Sequence, residues 1–163
     1  MFQRILVPID GSPTSNRGLD EAIGLATDQK AKICLLHVAD VRGMTGESEG
    51  AFIIPASSMD RYIQLRRAAG KKLLAQAETK VRKHGIAVET VFLPTLGNPV
   101  ADLIIKQAKK WRADVIVLGT HGRRGLTRVV MGSDAELVLR ETPLPVLLVR
   151  SPQRPHKRRT RRG

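Results

Sequence analysis

The sequence predicts an α/β protein: one open, doubly wound parallel sheet of five strands with helices on both faces. Five short aliphatic runs recur along the chain, and each is typical of a strand that is covered on both faces. Longer segments with helical apolar spacing separate these runs. Strands that alternate with helices imply right-handed crossovers and a parallel sheet. The chain has 163 residues, about the length of one domain.

The strands follow from uninterrupted aliphatic stretches. The five predicted strands are residues 4–9, 32–38, 87–93, 115–118 and 146–149. Glu89 and Thr90 interrupt the third run, which predicts a less buried position for that strand.

The first two helices are marked by apolar spacing and by their ends. Ser12-Pro13 offers an N-cap and a first-turn proline, and apolar residues then recur from Leu19 to Ala26. A longer apolar stripe covers residues 63–81 and ends before Gly85. Residues 40–58, ahead of this stripe, have no clear period and contain three glycines, so we expect a long loop there.

The last two helices carry similar start signals. Asn98-Pro99 predicts a cap and a first-turn proline for a helix over residues 100–111. Ser133 and Glu136 have the capping-box spacing, which predicts a helix that Ser133 caps.

Charge and composition narrow the class of protein. The chain carries 28 Lys and Arg against 15 Asp and Glu, a net charge of +13, which suits anionic partners such as nucleotides or nucleic acid. A single cysteine excludes an intramolecular disulfide, and no apolar run approaches the ~18 residues of a membrane helix. We therefore expect a cytoplasmic protein without membrane association. Residues 1–150 are predicted to form the domain, and the basic residues 151–163 a disordered tail.

Two of the predicted strands end in segments suited to ligand binding. The first runs into Asp10-Gly11-Ser12, and the fourth into residues 119–125, which contain three glycines and two arginines. Ligands of open parallel sheets bind beyond the carboxyl ends of strands, where the winding direction reverses. If the first and fourth strands are neighbours, both segments face one crevice.

The segment after the fourth strand has the chemistry of a phosphate cradle. Gly119 and Gly122 let the backbone approach a ligand closely, and Gly132-Ser133 begins a helix whose N–H groups and dipole favour phosphate. The segment also carries three cations: Arg123, Arg124 and Arg128. The absence of a Walker A loop and of G-x-G-x-x-G excludes those two kinds of nucleotide site.

Plainer interpretations stay open for the same residues. Ser133 could serve only as a helix cap, the glycines could serve only tight turns, and Asp10 could shape the turn after its strand. The arginines could form a solvated surface. His121 has no acid partner, so no catalytic residue is predicted, and no Cys/His cluster has metal-ligand spacing. Cys34 and His37 lie in an apolar strand and are interpreted as packing residues.

With these motifs in place, the sequence resembles the ATP-binding universal stress proteins. Gly119-x-x-Gly122, nine residues and Gly132-Ser133 match the signature G-x-x-G-x9-G-[ST] of that family. The opening run, residues 5–12, and the closing run, residues 143–149, are also similar to it. The resemblance covers residues 2–150. It implies a strand order of 3-2-1-4-5, a homodimer paired through Val146–Val149 of the fifth strand, and ATP, with or without Mg²⁺, as the ligand.

The resemblance also implies roles for individual residues. Asp10 would contact the nucleoside, and the backbone of Val38 would meet adenine. The remaining implied binding residues are Pro8, Leu118, Gly119, Gly122, Arg123, Gly132, Ser133 and Asp134, of which Leu118 and Gly119 line the floor and Gly122, Gly132 and Ser133 hold phosphates.

Three functions remain to be weighed. The preferred one is a dimeric binding module in which ATP occupancy alters contacts with partners in the stress response. A slow ATP hydrolase or phosphotransfer protein is the second, although no base or carboxylate pair for Mg²⁺ is evident. The third is a nucleic-acid-binding or scaffold protein that uses only its basic tail.

Overall fold

The computed structural model describes residues 1–40, 56–95, 97–120 and 132–150, in which strands and helices alternate. The strands are β1 (Arg4–Pro8), β2 (Lys32–Asp40), β3 (Val88–Thr95), β4 (Val115–Gly119) and β5 (Val146–Val149). The helices are α1 (Pro13–Gln29), α2 (Ala56–Arg82), α3 (Val100–Trp111) and α4 (Ser133–Glu141). Of the predicted 40–58 loop, residue 40 closes β2, residues 56–58 begin α2, and the rest lies outside the described residues. The predicted tail lies outside them as well.

The five strands form one parallel sheet in the order β3-β2-β1-β4-β5, which confirms the predicted fold class. β3 lies at one edge, and Glu89 and Thr90 are exposed there, as the interrupted aliphatic run predicts. No helix in the described ranges is both long enough and apolar enough to cross a membrane.

Each face of the sheet is covered by its own pair of helices. Successive residues of a strand point to opposite faces, so Ile5 and Val7 pack with α1 and α2 while Leu6 packs with α3 and α4. These three side chains are fully buried. The aliphatic runs therefore form the middle layer of three, and the polar residues that end the strands are left at the edges of the sheet.

The N-cap of α1 follows the sequence prediction, and the N-cap of α3 does not. Ser12 is the N-cap of α1, and its Oγ accepts a hydrogen bond from the Ser15 amide at 3.1 Å. The prediction that Asn98 caps α3 is wrong, because Pro99 is the N-cap and has no side-chain hydrogen bond. Thr95 explains the difference. Its Oγ1 accepts from the Asn98 amide and donates to the Asn98 carbonyl, both at 3.0 Å, and so holds Asn98 outside the helix.

The predicted capping box of α4 is also wrong. Gly132 is the N-cap, and Ser133 is the first residue of the helix. Ser133 therefore lies one position after the N-cap, and the structure shows no side-chain cap hydrogen bond for this helix. The first-turn amides of α4 are thus not consumed by a serine cap.

Helix α2 lies tightly against the sheet at Gly70. A Cβ atom on Gly70 would lie 2.4 Å from Cε2 of Phe92 and 2.7 Å from Cδ2 of His37. The ring centroids of His37 and Phe92 are 5.9 Å apart. Only a residue without a side chain lets the helix lie directly on both rings.

Cys34 is fully buried in β2, as its apolar surroundings predict. Burial, with a smaller contribution from the charge of Glu89, raises the pKa of the Cys34 thiol from 9.0 to about 12. The folded protein then holds the thiol proton more tightly than the unfolded chain does. Cys34 therefore makes stability fall as pH rises through the interval from 9.0 to about 12.

We expect the folded protein to be inert to a thiol reagent such as dithionitrobenzoate at pH 8. One equivalent should react in denaturant, because the chain has one cysteine. Absorbance at saturating reagent measures both states. Rapid stoichiometric labelling of the folded protein at pH 8 would contradict the buried, protonated thiol.

Candidate functional site

The carboxyl ends of β1 and β4 lie side by side. Ile5 pairs with Val115 and Leu6 with Ile116, so the two strands are neighbours in the sheet. The chain winds from β1 towards β3 on one side and from β4 to β5 on the other. The predicted crevice therefore coincides with the reversal of winding, where open parallel sheets bind ligands.

The end of β1 is a tight polar turn. The Asp10 carboxylate accepts a hydrogen bond from the Ser12 amide at 2.9 Å, and the Asp10 amide donates to Ser15 Oγ at 3.1 Å. Gly11, between them, has a φ of +81°, which favours glycine. Asp10 thus shapes this turn, which is the plainer of its two sequence interpretations, and it is also placed at the mouth of the crevice.

The end of β4 lies against the first turn of α1. A Cβ atom on Gly119 would lie 2.8 Å from the carbonyl carbon of Thr14 and 2.9 Å from the Ser15 amide nitrogen. Glycine at this position therefore has a packing requirement of its own, independent of any ligand. Leu118, one residue earlier, is buried against the α3 and α4 side of the sheet.

Thr120 ties the start of α4 to the ends of β4 and β5. Its amide donates to the Val149 carbonyl at 3.0 Å, and its carbonyl accepts from the Gly132 amide at 2.8 Å. Residues 120 and 132 are thereby held in contact across the segment that separates them. The first-turn amides of α4, at Ser133 and Asp134, consequently lie at the same edge of the sheet as the end of β4.

The end of β2 presents backbone groups to the crevice. The register of β1 with β2 ends at Pro8 opposite Leu36, and the Ile9 amide still donates to the Leu36 carbonyl at 2.8 Å. Alternation along the strand turns the N–H and C=O of Val38 to the side of β1, beyond the last paired residue. The backbone N–H and C=O of Val38 therefore face the space beyond the end of β1, where the chain leaves the sheet after Ile9.

The structure brings most of the predicted site residues to one edge. Those at the carboxyl edge are Pro8, Asp10, Val38, Leu118, Gly119, Gly132, Ser133 and Asp134. Gly122 and Arg123 lie outside the described residues, as do His121, Arg124 and Arg128. The sequence prediction did not include Thr120, which is 3% exposed, and it treated His37 only as a packing residue. No local sequence pattern marks either one, because their partners are distant in the chain.

A groove of about 800 Å³ lies at the opposite, amino edge of the sheet. Its lining includes Arg4, Lys30 and Lys32. The Arg4 guanidinium lies over the Trp111 ring at 4.2 Å from its centroid, and the Lys32 ammonium lies 5.6 Å from the same centroid. Arg4 and Lys32 thus already interact with Trp111, which leaves fewer positive charges to bind an anion at the amino edge. The carboxyl edge of the sheet is therefore the better candidate for a ligand site. Within the described ranges, no group of three or more His, Cys, Asp and Glu side chains could hold a metal ion.

The fold and the polar crevice define a doubly wound α/β protein with a candidate ligand site at the switch point of its sheet. The family model of the universal stress proteins matches residues 1–150, and the chain belongs to that family. It is 34% identical over 151 residues to universal stress protein YxiE of Bacillus subtilis, covering 92% of this chain and all of YxiE. It is 32% identical over 155 residues to universal stress protein MJ0531 of Methanocaldococcus jannaschii, covering 94% and 85% of the two chains.

Solved structures share the fold. That of MJ0577, from the same archaeon, superposes with a TM-score of 0.78 at 25% identity and covers 94% of this chain and 99% of MJ0577. The Archaeoglobus fulgidus protein solved with dAMP has a TM-score of 0.58 at 22% identity, covering 90% of this chain and 97% of its own. An Arabidopsis thaliana family member with bound AMP has a TM-score of 0.64 at 20% identity, covering 93% of each chain.

Proposed function

We propose that the protein binds ATP at the crevice between the ends of β1 and β4, and that it acts as a dimeric, cytoplasmic binding module. The observation that carries the proposal is the Thr120–Gly132 hydrogen bond, which holds the first turn of α4 beside the end of β4. A helix N-terminus at a switch point directs its first-turn N–H groups and the positive end of its dipole towards a bound phosphate. Relatives of the same fold that were solved with AMP and dAMP support an adenine nucleotide as the ligand.

The proposed binding residues divide by the part of the nucleotide that each would contact. The Val38 backbone would meet the base, and Asp10 the nucleoside. Leu118 and Gly119 would line the floor, and Pro8 completes the binding residues on the β1 side. The phosphates would be held by Gly122, Arg123, Gly132, Ser133 and the amide of Asp134. Mg²⁺ would accompany the phosphates, and among the residues that the structure describes no carboxylate cluster would surround it.

The direct test is calorimetric titration of the purified protein with Mg-ATP. Asp134 provides a sharp variant, because its carboxylate is exposed in the first turn of α4, where phosphates would lie. Replacing Asp134 by Asn removes one like charge, and we expect ATP to bind about fivefold more tightly at low salt. The same change should weaken the helix by about 0.5 kcal/mol, because a first-turn carboxylate stabilises it.

Glu136→Gln is the matched control for Asp134→Asn. It removes the same charge from an exposed site half a turn further along α4, so its effect on ATP affinity should be smaller. Equal effects of the two variants would contradict phosphate binding at the helix start. Failure of the wild-type protein to bind Mg-ATP would refute the proposed function.

The proposed dimer pairs β5 with its symmetry-related copy. β5 is an edge strand, so its outer N–H and C=O groups can pair with another strand, and Leu147 on it is 42% exposed. We expect the wild type to sediment as a dimer and Leu147→Asp to sediment as a monomer, because a carboxylate would be buried without a partner. Leu65→Asp on α2, at a leucine 63% exposed, should remain dimeric. A monomeric wild type at micromolar concentration would refute the proposed dimer.

A bound nucleotide would affect contacts with partners through the hydrogen bonds of Thr120. Thr120 joins the start of α4 to Val149 at the end of β5, so ligand contacts at the helix bear on the proposed dimer edge. The proposed domain is residues 1–150, with residues 151–163 as a basic extension outside it. A nucleotide that binds one arrangement of α4 and β5 more tightly would increase the fraction of molecules in that arrangement.

A further inference from the structure

His37 forms a hydrogen bond that crosses between two strand ends of the candidate site. Its Nδ1 lies 2.7 Å from the carbonyl oxygen of Ile9, and the side chain is only 7% exposed. A carbonyl oxygen can only accept, so Nδ1 carries the hydrogen and donates it. Ile9 directly precedes Asp10, and His37 directly precedes Val38, so this bond joins the backbones of two proposed ligand contacts.

The Ile9 carbonyl is the group that a regular ladder would pair with Val38. In a parallel ladder, each residue of one strand makes two hydrogen bonds to the neighbouring strand. Its amide donates to the carbonyl of one residue, and its carbonyl accepts from the amide two residues further along. Ile9 would therefore bond to the Leu36 carbonyl and to the Val38 amide. Ile9 makes the first of these bonds, to Leu36 at 2.8 Å. Its carbonyl is instead engaged by the His37 side chain, and the paired register ends one residue earlier, at Pro8.

We propose that His37 is a positioning residue that keeps the Val38 amide out of the ladder and available to the base of a bound nucleotide. This inference rests on the proposed function and deepens it. The bond from His37 directs the Ile9 carbonyl towards the imidazole ring, and the β1–β2 register ends before Val38. The N–H and C=O of Val38 then form an adjacent donor and acceptor at the mouth of the crevice.

The surroundings of His37 hold its ring in this role. Phe92 packs beside it at a centroid distance of 5.9 Å, and the backbone of Gly70 lies against its Cδ2 edge. The ring therefore has little room to turn away from Ile9. A backbone donor and acceptor side by side suit the N1 acceptor and the 6-amino donor of adenine. Guanine presents the reverse order at these two positions, so the arrangement also predicts selectivity for the base.

The experiment measures amide exchange and binding in three proteins. Wild type, His37→Leu and His37→Asn are compared by NMR hydrogen exchange at Val38 without nucleotide, and by titration with Mg-ATP and with inorganic tripolyphosphate. Leucine removes the donor, whereas the asparagine side chain places an N–H donor near the position of Nδ1. Thermal unfolding of each protein reports whether it folds.

We expect the Val38 amide of the free wild-type protein to exchange rapidly and to become protected when ATP is added. In His37→Leu, Val38 should bind the Ile9 carbonyl and be protected without nucleotide. That variant should bind ATP about tenfold more weakly, with unchanged affinity for tripolyphosphate. His37→Asn should restore rapid exchange and most of the ATP affinity.

Strong protection of Val38 in the free wild-type protein would overturn the inference, and this measurement requires no variant to fold. Unchanged Val38 exchange in a folded His37→Leu would overturn it as well, as would equal losses of ATP and tripolyphosphate affinity. Failure of the proposed function has a different signature. In that case the wild type binds neither ATP nor tripolyphosphate, while the exchange rates of the free proteins still report on His37.

Discussion

Gly119→Val should lower the free energy of unfolding by about 3 kcal/mol and abolish ATP binding. The new Cβ atom would lie 2.8–2.9 Å from backbone atoms of Thr14 and Ser15 in the first turn of α1. Backbone atoms cannot rotate aside as a side chain can, so β4 and α1 must move apart. Gly18 is the residue of α1 that faces Gly119 across this contact, because a Cβ atom on Gly18 would lie 3.5 Å from the Gly119 amide nitrogen. Separation would displace both strand ends that form the crevice.

Urea unfolding followed by circular dichroism measures this loss of stability, and titration with Mg-ATP measures the loss of binding. Gly24→Ala is the control for the added Cβ atom, because it places a Cβ at an exposed position of α1 with nothing within 4 Å. That change should stabilise the protein by about 0.5–1 kcal/mol through helix propensity. A Gly119→Val protein as stable as wild type would show that β4 does not pack on α1 as closely as described.

Gly70→Ala should also destabilise the protein, by about 2 kcal/mol, although alanine favours a helix over glycine. Its Cβ would meet the Phe92 ring at 2.4 Å and the His37 ring at 2.7 Å. The His37 ring is held by the Ile9 carbonyl, so it cannot yield without loss of that hydrogen bond. The sign of the effect is therefore opposite to that of Gly24→Ala, in spite of the identical chemical change.

A double-mutant cycle with Phe92→Leu separates the clash from other causes. Leucine removes the ring atom nearest to the new Cβ, so the cost of Gly70→Ala should fall by at least 1 kcal/mol in the Phe92→Leu background. Free energies of unfolding from urea titrations of the four proteins supply the cycle. Strict additivity would mean that steric conflict with Phe92 is not the source of the loss.

The fold class could be predicted because its signals are local. An uninterrupted aliphatic run such as residues 115–118 must be covered on both faces, and this alone suggests a parallel sheet with helices on both sides. The N-caps of α3 and α4 were predicted wrongly for the opposite reason. Thr95 and Thr120 hold those turns through hydrogen bonds, and the Asn98-Pro99 and Ser133–Glu136 patterns carry no information about these partners.

The sequence could predict which strand ends and helix start form the candidate site, but it could not predict the hydrogen bonds that join them. Asp10 and Gly132 mark a strand end and a helix start, and both kinds of feature leave local sequence signals. His37 lies within an apolar strand, where packing is the natural interpretation. Its hydrogen-bond partner, Ile9, is 28 residues away in the chain. Such a contact becomes visible only when the register of β1 and β2 is known.

The hydrogen bond between Thr120 and Gly132 has a practical consequence for protein engineering. Because it joins the two residues that flank positions 121–131, we expect those eleven positions to accept a segment of different length or chemistry without loss of the sheet. Under the proposed function, segments transplanted from other family members would change the ligand preference of this scaffold.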